Sequence, residues 1–207
     1  MEKVWRFNMF SAEEFYRTCF GLQEDDLIKA LLPITHIIHL KKYETVIREG
    51  EKQTVVPFLL QGIVRGYYTG INGQEITDCL QIHCGDPLTA LPFDRPSPIT
   101  MEVLTESYVL QFPTAALEGL MQHPSIIKVY NQLLQKSMID HWTIKNMLCQ
   151  HDAMERYEWF LQEYPGVIDE INNKYVASFL KMTPVTLSRL RRIRGETPKG
   201  EKEVLKN

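Results

Sequence analysis

The amino-acid sequence predicts an α+β fold in three parts: an N-terminal antiparallel β jelly roll, a long helix and a C-terminal helix-turn-helix domain. Three observations support this prediction. Glycine interrupts short apolar runs throughout residues 34–112, residues 125–150 contain neither glycine nor proline, and residues 171–207 are strongly basic. The domains expected from these changes of pattern are residues 1–122, 123–150 and 151–207.

The composition is that of a folded protein. The 207 residues are 44% hydrophobic and 24% charged, as in ordinary globular domains, and this length suits one large domain or two modest ones. No apolar run approaches the ~18 residues of a membrane-spanning helix, and Met1–Phe10 lacks the pattern of a signal peptide. The four cysteines are far apart in the sequence, which favours reduced thiols and a cytoplasmic location over a set of disulfides.

The net charge of −3 conceals opposite charges on two parts of the chain. From Ile171 to Asn207 there are nine basic and three acidic residues, a net charge of +6, whereas the preceding 170 residues carry −9. A basic segment attached to an acidic body indicates that one end of the chain binds a polyanion. If charge is considered alone, a solvated charged tail is the alternative.

A helical start and then a β domain are expected before residue 122. Residues Ser11–Leu32 have a helical pattern, with Ser11 and Glu14 at the positions of a capping box. The β-rich runs that follow are ITHIIHL, ETVIRE, PFLLQ, IVRGYYT, QEITDCLQI, ITMEVLT and SYVLQF. Asn72-Gly73 predicts a tight type I′ hairpin turn. Short strands without long helices between them favour an antiparallel jelly roll over parallel βαβ units.

The segment 125–150 has apolar residues at helical spacing. At 100° per residue, one broad stripe contains Ile126, Ile127, Tyr130, Leu134, Ser137, Met138, His141, Ile144 and Leu148. A helix of about 25 residues extends ~37 Å, which is longer than the core of a small domain. We interpret it as a two-stranded coiled coil that joins two subunits, and a long core helix is the alternative. The predicted dimer contacts are Ile127, Tyr130, Leu134, Met138, His141 and Leu148.

Residues 172–192 have the pattern of a helix-turn-helix. Asn172 is placed to cap the first helix, and Lys181-Met182 form the turn, where glycine would be the commoner residue at Lys181. Thr183 is placed to cap the second helix, with Pro184 at its first position, where a missing N–H costs nothing. The inward-facing residues are expected to be Val176, Ala177, Leu180, Leu187 and Leu190.

The second helix of this motif is expected to present hydroxyl and guanidinium groups outward. These residues are Thr186, Ser188, Arg189, Arg191 and Arg192. In a major groove, arginine donates two hydrogen bonds to guanine O6 and N7, and hydroxyls at the start of a helix donate to phosphate oxygens. The pattern therefore predicts double-stranded DNA as the partner. The alternative is an ordinary helical hairpin with a basic outer face.

The order and length of these parts resemble the Crp/Fnr transcription regulators. The resemblance extends from Leu22 to Arg194, and its most specific strings are FLLQGIVRGYY (Phe58–Tyr68), RYEWFLQEYP (Arg156–Pro165) and YVASFLKMTPVTLSRLRR (Tyr175–Arg192). It implies a homodimeric, sequence-specific DNA-binding regulator with a cyclic-nucleotide-binding-like sensor domain and a winged-helix-like DNA-binding domain. The membrane is not an expected partner.

The resemblance also assigns roles to residues of the helix-turn-helix. Arg189 and Val185 match base-reading positions, and Thr183 and Thr186 match phosphate-contacting hydroxyls. Because cyclic-AMP-responsive members carry glutamate where this chain has Val185, a different DNA sequence preference is expected. The predicted DNA-binding residues are Lys174, Thr183, Val185, Thr186, Ser188, Arg189 and Arg192.

Two departures from the family pattern concern the effector and the end of the chain. Members that bind cyclic AMP use a Gly-Glu pair and a later Arg-Ser or Arg-Thr pair, where this chain has Thr89-Ala90 and Ser97-Pro98, with Arg95 two residues out of register. A hydroxyl does not replace a charge-assisted arginine contact, so we expect an unidentified small-molecule effector rather than cyclic AMP. The candidate effector pocket is Tyr67, Asp86, Thr89, Arg95, Ser97 and Thr100.

The second departure concerns the end of the chain. Only 15 residues follow Arg192, which predicts a wing-poor variant.

No metal, cofactor or catalytic role is expected. His36 and His39 would face opposite sides of a strand, as would the neighbours His83 and Cys84. Cys19 alone does not match the N-terminal cysteine cluster of iron–sulfur members, and His83 is expected to be a structural residue rather than a haem ligand. The chain has no H-x-H, G-x-S-x-G, Walker loop or H-E-x-x-H motif.

Two other functions remain compatible with these patterns. One is a small-molecule-binding or protein-interaction module whose helical tail does not bind DNA. The other is a constitutive regulator with an empty effector pocket, because the phosphate-binding residues are replaced.

Overall fold

The computed structural model describes residues 11–89 and 95–195. The chain divides into two compact units, residues 1–137 and 138–207, and the division lies inside the long helix. The three-segment division expected from the sequence remains a prediction.

Seven strands form two antiparallel sheets in the described part of the first unit. The strands are β1 (His36–Leu40), β2 (Thr45–Ile47), β3 (Val55–Gln61), β4 (Val64–Thr69), β5 (Glu75–Gln81), β6 (Thr100–Val103) and β7 (Ser107–Pro113). The order is β1-β7-β3 in the first sheet and β2-β6-β4-β5 in the second. The predicted antiparallel jelly roll is confirmed, and each predicted β-rich run contributes one strand. Leu59, Val64, Leu88, Met101, Val103 and Val109 form a buried core.

The β4–β5 hairpin does not have the type I′ turn that the sequence predicts. Thr69 pairs with Glu75, which leaves five residues in the connection. The Gly73 N–H donates to the Gly70 carbonyl at 2.8 Å, so Ile71 and Asn72 are the central residues of the turn. Gly73 has a φ of 76°, whereas Asn72 is not among the described residues with positive φ. A type I′ turn needs positive φ at both central residues, and here Gly73 is the last residue of the turn instead of one of its central residues.

The helices of the first unit cover the outer face of the first sheet. They are α1 (Ala12–Thr18), α2 (Asp25–Leu31), α3 (Leu117–Leu120) and the start of α4 (Pro124–Gln150). Phe15 and Tyr16 of α1, Phe58 of β3, and Ile126 and Val129 of α4 belong to one buried cluster. The close edge-to-face contacts of Phe15 and Phe58 with Phe20 add directional packing to this burial.

The single helix expected over Ser11–Leu32 is two helices in the structure. The predicted capping box is present, because the Ser11 hydroxyl accepts the Glu14 N–H at 3.1 Å and the Glu14 carboxylate accepts the Ser11 N–H at 3.2 Å. The break follows at Gly21, whose φ of 66° is the left-handed conformation in which glycine ends helices. The connection brings Leu22 into the core, where it is buried.

The second unit, as far as residue 195, contains the end of α4 and four shorter helices. These are α5 (Ala153–Glu163), α6 (Val167–Glu170), α7 (Asn173–Phe179) and α8 (Pro184–Ile193). Asp152 caps α5 by accepting the N–H groups of Met154 and Glu155 at 2.8 and 3.0 Å. The rings of Trp159, Phe160 and Tyr164 surround Phe179 at centroid distances of 6.1, 6.0 and 5.4 Å. This aromatic cluster fixes α7 against α5.

Candidate nucleic-acid interface and effector site

A four-residue turn joins α7 and α8. Asn172 caps α7 through its side-chain oxygen, which accepts the Lys174 N–H at 2.9 Å. Lys181 has a φ of 51°, and the N–H groups of Lys181 and Met182 donate to the carbonyls of Ser178 and Ala177 at 3.1 and 2.9 Å. Lys181 therefore takes the left-handed conformation for which glycine would be favoured.

The inward faces of α7 and α8 are those that the sequence predicts. Val176, Ala177, Leu180, Leu187 and Leu190 are all buried. The small side chain of Ala177 belongs to the last turn of α7. Packing at these positions determines which face of α8 remains exposed.

Thr183 begins α8 with the predicted side-chain cap. Its hydroxyl accepts the Thr186 N–H at 3.1 Å and lies 2.9 Å from the Thr186 hydroxyl, and Pro184 occupies the first position of the helix. The two hydroxyls therefore stand together at the N-terminus of a ten-residue helix, where unpaired N–H groups and the helix dipole favour anions.

Three of the predicted DNA-binding residues form the exposed face of α8. Val185 is 79% exposed, and Arg189 and Arg192 follow it at helical intervals of four and three residues and are also exposed. Thr186 and Ser188 are half-buried beside this face. Lys174 lies on α7 and is exposed, with its ammonium 4.7 Å from the Tyr175 ring centroid. Six of the seven predicted residues thus belong to α8 or its cap.

Arg191 is an exception to the predicted outward face. It is only 4% exposed, and its guanidinium donates to Asn173 Oδ1 at 3.1 Å and Asp169 Oδ1 at 3.3 Å. Arg191 follows Leu187 by four residues, so it shares the buried side of the helix. The outward prediction was wrong for this residue, because Arg191 links α8 to α6 and α7.

Helix α4 buries its beginning and exposes an apolar surface farther along. Ile126 and Val129 are buried in the core of the first unit, so Ile126 packs within its own subunit although the predicted stripe includes it. Of the predicted dimer contacts, Ile127, Leu134, Met138 and His141 are exposed, and Tyr130 and Leu148 are half-buried. The sequence interpretation missed Ile139 and Trp142, which are 60% and 61% exposed. At 100° per residue, Trp142 flanks the stripe and Ile139 lies on the opposite side of the helix, and their hydrophobicity was the available signal.

Asp86, one of the predicted effector-pocket residues, is buried and its carboxylate has partners within the protein. Its Oδ2 accepts the N–H groups of Ile82 and His83 at 3.2 and 2.9 Å. Its Oδ1 lies 3.2 Å from Lys136 Nζ of α4. Asp86 therefore organises the loop after β5 and connects it to the first half of α4.

The hydroxyl groups of the predicted pocket make internal hydrogen bonds. Thr89 donates to Gln53, whose amide donates to the Arg95 carbonyl at 2.9 Å. Ser97 donates to the Ile99 carbonyl at 2.6 Å, and Thr100 accepts the Glu49 N–H at 3.0 Å. Buried Gln53 thus ties Thr89 to the backbone at Arg95, a link that the sequence interpretation missed.

Arg95 and Ala90 belong to the segment that aligns with the nucleotide-binding pairs of cyclic-AMP-binding members, from which this chain departs. The Arg95 residue is exposed, and its carbonyl rather than its guanidinium contacts Gln53. Ala90 lies outside the described residues. The wing-poor end of the chain, from residue 196 onward, also lies outside them.

Arg65 of β4 is a buried charged residue that the sequence interpretation also missed. Its guanidinium lies 2.8 Å from Glu102 and 2.5 Å from Glu75, and 4.0 Å from the Tyr67 ring centroid. Burial lowers the pKa of Arg65, but hydrogen bonds to Glu75 and Glu102 more than offset it and raise the pKa overall. Burial also raises the pKa of the Tyr67 hydroxyl. Tyr67, a residue of the predicted effector pocket, therefore packs on an ion-pair network of the second sheet.

An apolar cleft lies away from the predicted effector residues. It lies between α1, the first sheet, α3 and the start of α4 and is partly open to solvent. Tyr16, Phe20, Phe58, Met121 and Tyr130 are among its lining residues, which are all apolar or aromatic. None of the six predicted pocket residues lines this cleft, and no motif in the sequence indicated it.

Neither stretch, 11–89 or 95–195, contains three or more His, Cys, Asp or Glu side chains grouped so as to hold a metal ion. Within the same stretches, no helix combines the length and the hydrophobicity that crossing a bilayer requires.

Comparisons with known proteins give one matching protein family and several similar solved structures. Residues 37–123 match the cyclic nucleotide-binding domain family. FixK2 from Bradyrhizobium japonicum has a TM-score of 0.70 at 18% identity, over 78% of this chain and 86% of that protein. The c-di-GMP-responsive global regulator CLP of Xanthomonas campestris has a TM-score of 0.64 at 14% identity, over 83% and 92%.

A third solved structure is similar over nearly the same range. TTHB099, a transcriptional regulator of the CRP family from Thermus thermophilus, has a TM-score of 0.62 at 19% identity, over 76% of this chain and 85% of that protein. No curated protein sequence matches the chain. The resemblance inferred from the sequence is thus confirmed in the fold: the chain contains a domain of the cyclic nucleotide-binding family and has the fold of the Crp/Fnr transcriptional regulators.

Proposed function

We propose that this chain is a sequence-specific DNA-binding transcriptional regulator, that it acts as a homodimer, and that its effector is not cyclic AMP. The observation that carries the proposal is the division of α8 into two faces. Val185, Arg189 and Arg192 are exposed on one face, whereas Leu187, Leu190 and Arg191 are buried on the other. A helix held in this way can enter a major groove without losing its packing.

In the proposed DNA complex, the residues of α8 and its cap have different tasks. Arg189 donates to guanine O6 and N7, and Val185 makes apolar contact with a base edge, such as a thymine methyl group. Thr183 and Thr186 contact phosphate oxygens beside the helix N-terminus. Lys174 of α7 contributes a phosphate contact, which adds affinity without sequence information.

The exposed apolar residues of α4 support the proposed homodimer. Ile127, Leu134, His141 and Leu148 are spaced seven residues apart, the heptad interval of a coiled coil. Met138 lies on the same stripe and Trp142 beside it, and both add exposed apolar surface. A dimer built on α4 presents two copies of α8, and such dimers bind half-sites about one helical turn, ~34 Å, apart.

Selection from a random-sequence DNA library with the full chain tests this function. We expect enrichment of a near-palindromic motif, and loss of that motif in the Arg189→Ala/Arg192→Ala double variant. Binding should weaken steeply as salt rises, because Lys and Arg displace condensed counterions from DNA. If the wild-type protein enriches no motif while remaining folded, the DNA-binding proposal is wrong and a protein-interaction role is favoured.

The geometry of the predicted pocket supports an effector other than cyclic AMP. The carboxylate of Asp86 and the hydroxyls of Thr89, Ser97 and Thr100 already have partners within the protein.

In the proposed mechanism, an effector changes the conformation of the sensor domain, and the pair of α4 helices in the dimer conveys the change to α8. Calorimetry with cyclic AMP should show no tight binding, and a micromolar dissociation constant would refute this part. Native mass spectrometry of small molecules retained on the protein distinguishes a bound effector from an empty, constitutive sensor.

A further inference from the structure

Two cysteine thiols are in contact at the junction of α1 and the loop after β5. The sulfur atoms of Cys19 and Cys84 lie 3.2 Å apart although the residues are 65 positions apart in the sequence. Cys19 is the half-buried C-cap residue of α1, and Cys84 is exposed. Both belong to the first unit, and neither is used in the proposed DNA-binding function.

We propose that Cys19 and Cys84 are a thiol oxidation site, at which a hydroperoxide converts the pair into a reversible intramolecular disulfide. A disulfide bond is about 2.05 Å long, so the sulfur atoms need to approach by only ~1.2 Å. Cys84 is exposed and gives the oxidant access to the pair. Because both residues belong to one subunit, the reaction does not require dimerisation or DNA.

The surroundings assign different roles to the two cysteines. The hydrogen bond from the Cys84 thiol, together with a weaker one from the Thr18 hydroxyl, lowers the pKa of Cys19 to about 7, although burial and the charge of Asp86 act in the opposite direction. The same contact raises the pKa of Cys84. Since the thiolate is the reactive form, Cys19 is the nucleophile and Cys84 is the resolving thiol.

The reaction with hydrogen peroxide is a two-electron oxidation in two steps. The Cys19 thiolate attacks one peroxide oxygen, the O–O bond breaks, and the departing hydroxide takes up a proton to become water, which leaves a sulfenic acid on Cys19. The sulfur of Cys84 then attacks the Cys19 sulfur. The S–S bond forms as the S–O bond breaks, and the hydroxide leaves with the Cys84 proton as a second water. A dithiol reductant reverses the oxidation by thiol–disulfide exchange.

The position of the pair connects it to α4. Gly85 follows Cys84 with a φ of 89°, and a Cβ atom placed on Gly85 would lie 3.2 Å from the Cys19 Cβ. The next residue, Asp86, contacts Lys136 of α4. A disulfide would therefore tie the end of α1 to the loop that carries this ion pair. Oxidation of the pair therefore changes how firmly this loop, through Asp86, holds Lys136 in the first half of α4.

The other two cysteines provide internal controls. Burial raises the pKa of Cys79 to about 12, which makes it a poor nucleophile at neutral pH. Cys149 is an exposed thiol on α4 that reports the reactivity of an accessible cysteine in the same molecule. The Cys79→Ser/Cys149→Ser variant retains the proposed pair and removes competing thiols.

The test uses the full chain with one equivalent of hydrogen peroxide, alkylation of the remaining thiols and mass spectrometry without reduction. In the wild type and in the Cys79→Ser/Cys149→Ser variant, we expect loss of two hydrogens, a Cys19–Cys84 linked peptide, and reversal by dithiothreitol. Cys84→Ala should accumulate a sulfenic acid on Cys19 that dimedone traps. Cys19→Ala should react about tenfold more slowly at Cys84, because little thiolate is present.

Two outcomes would overturn the proposal. One is complete alkylation of Cys19 and Cys84 after peroxide has oxidised Cys149. The other is faster peroxide oxidation of Cys149 than of Cys19 in the wild-type chain, where the Cys84 hydrogen bond is intact. Thermal melting of the reduced variants, compared with the reduced wild type, verifies that each is folded, and the result does not depend on whether the protein binds DNA.

Discussion

The Arg191 guanidinium lies 3.3 Å from the Asp169 carboxylate and 3.1 Å from the Asn173 amide oxygen, so one buried arginine joins α8 to α6 and α7. Its neighbour Arg192 is exposed. Two adjacent arginines of one helix therefore have different roles, the first in positioning α8 and the second in the proposed DNA contact.

Substitution of these two arginines should separate stability from DNA binding. Arg191→Ala removes two charge-assisted hydrogen bonds and should destabilise the second unit by about 1–3 kcal/mol. Arg192→Ala should change stability by no more than about 0.5 kcal/mol while weakening DNA binding. Chemical denaturation followed by Trp fluorescence, together with DNA titration, measures both. Equal destabilisation by the two substitutions would contradict the assigned roles.

Arg189→Ala should weaken binding to the selected DNA site by about 1–3 kcal/mol and relax the preference at one base pair. The reason is the loss of a bidentate contact to a base edge. Titrations against the motif and its single-base variants measure the effect. Arg48→Ala, which removes an exposed arginine from the first unit, is the control with the same change of charge and should bind as the wild type does. A uniform loss across all DNA sequences would make Arg189 a phosphate contact only.

Local features of the fold could be predicted from the sequence, and contacts between distant residues could not. The capping residues Ser11, Asp152 and Thr183 are recognisable because each acts within three residues of itself. The burial of Arg191 depends on Asp169, 22 positions earlier, and helical periodicity cannot identify that partner. The expected turn at Asn72-Gly73 failed because the connection is longer than a two-residue loop.

In the candidate sites too, the residues that one helix specifies locally could be predicted, and contacts between distant residues could not. The exposed face of α8 results from a repeating pattern of Leu and Arg within one helix, so its residues were predicted nearly completely. The predicted effector residues came from alignment to a family segment, and the structure shows that they are bonded to partners such as Gln53 and Glu49. Cys19 and Cys84 meet only because α1 ends beside the loop after β5.

Lys181→Gly should stabilise the second unit by about 0.5–1 kcal/mol, because a non-glycine residue is strained at a φ of 51°. The gain is smaller than the full strain, since glycine loses more backbone entropy on folding. Lys181→Ala is the matched control, because it shortens the side chain but keeps the Cβ atom and the strain. Urea unfolding of both variants measures the difference. If alanine stabilises as much as glycine, the side chain rather than the backbone is responsible.

Met138→Glu should weaken the proposed homodimer by about 100-fold, because a charge without a partner at a buried interface costs about 3 kcal/mol or more. Met138 is exposed in the single subunit, so the folding of each unit should be unaffected. Gln132→Glu adds the same charge at an exposed position outside the predicted stripe and should remain dimeric. Sedimentation equilibrium of the three proteins gives the dissociation constants. A dimer that tolerates Met138→Glu would place the subunit contact elsewhere.

The rate of Cys19 alkylation should rise with pH through a midpoint of about 7, the pKa that the Cys84 hydrogen bond produces. The sign follows from the chemistry: the thiolate reacts, and the thiolate fraction increases as pH passes the pKa. Cys84→Ala removes the principal hydrogen-bond donor, so the midpoint should move to higher pH and the rate at neutral pH should fall. Iodoacetamide labelling at a series of pH values, with peptides from Cys19 and Cys149 quantified in the same digest, measures the midpoint. An unchanged midpoint in Cys84→Ala would show that Cys84 does not stabilise the Cys19 thiolate.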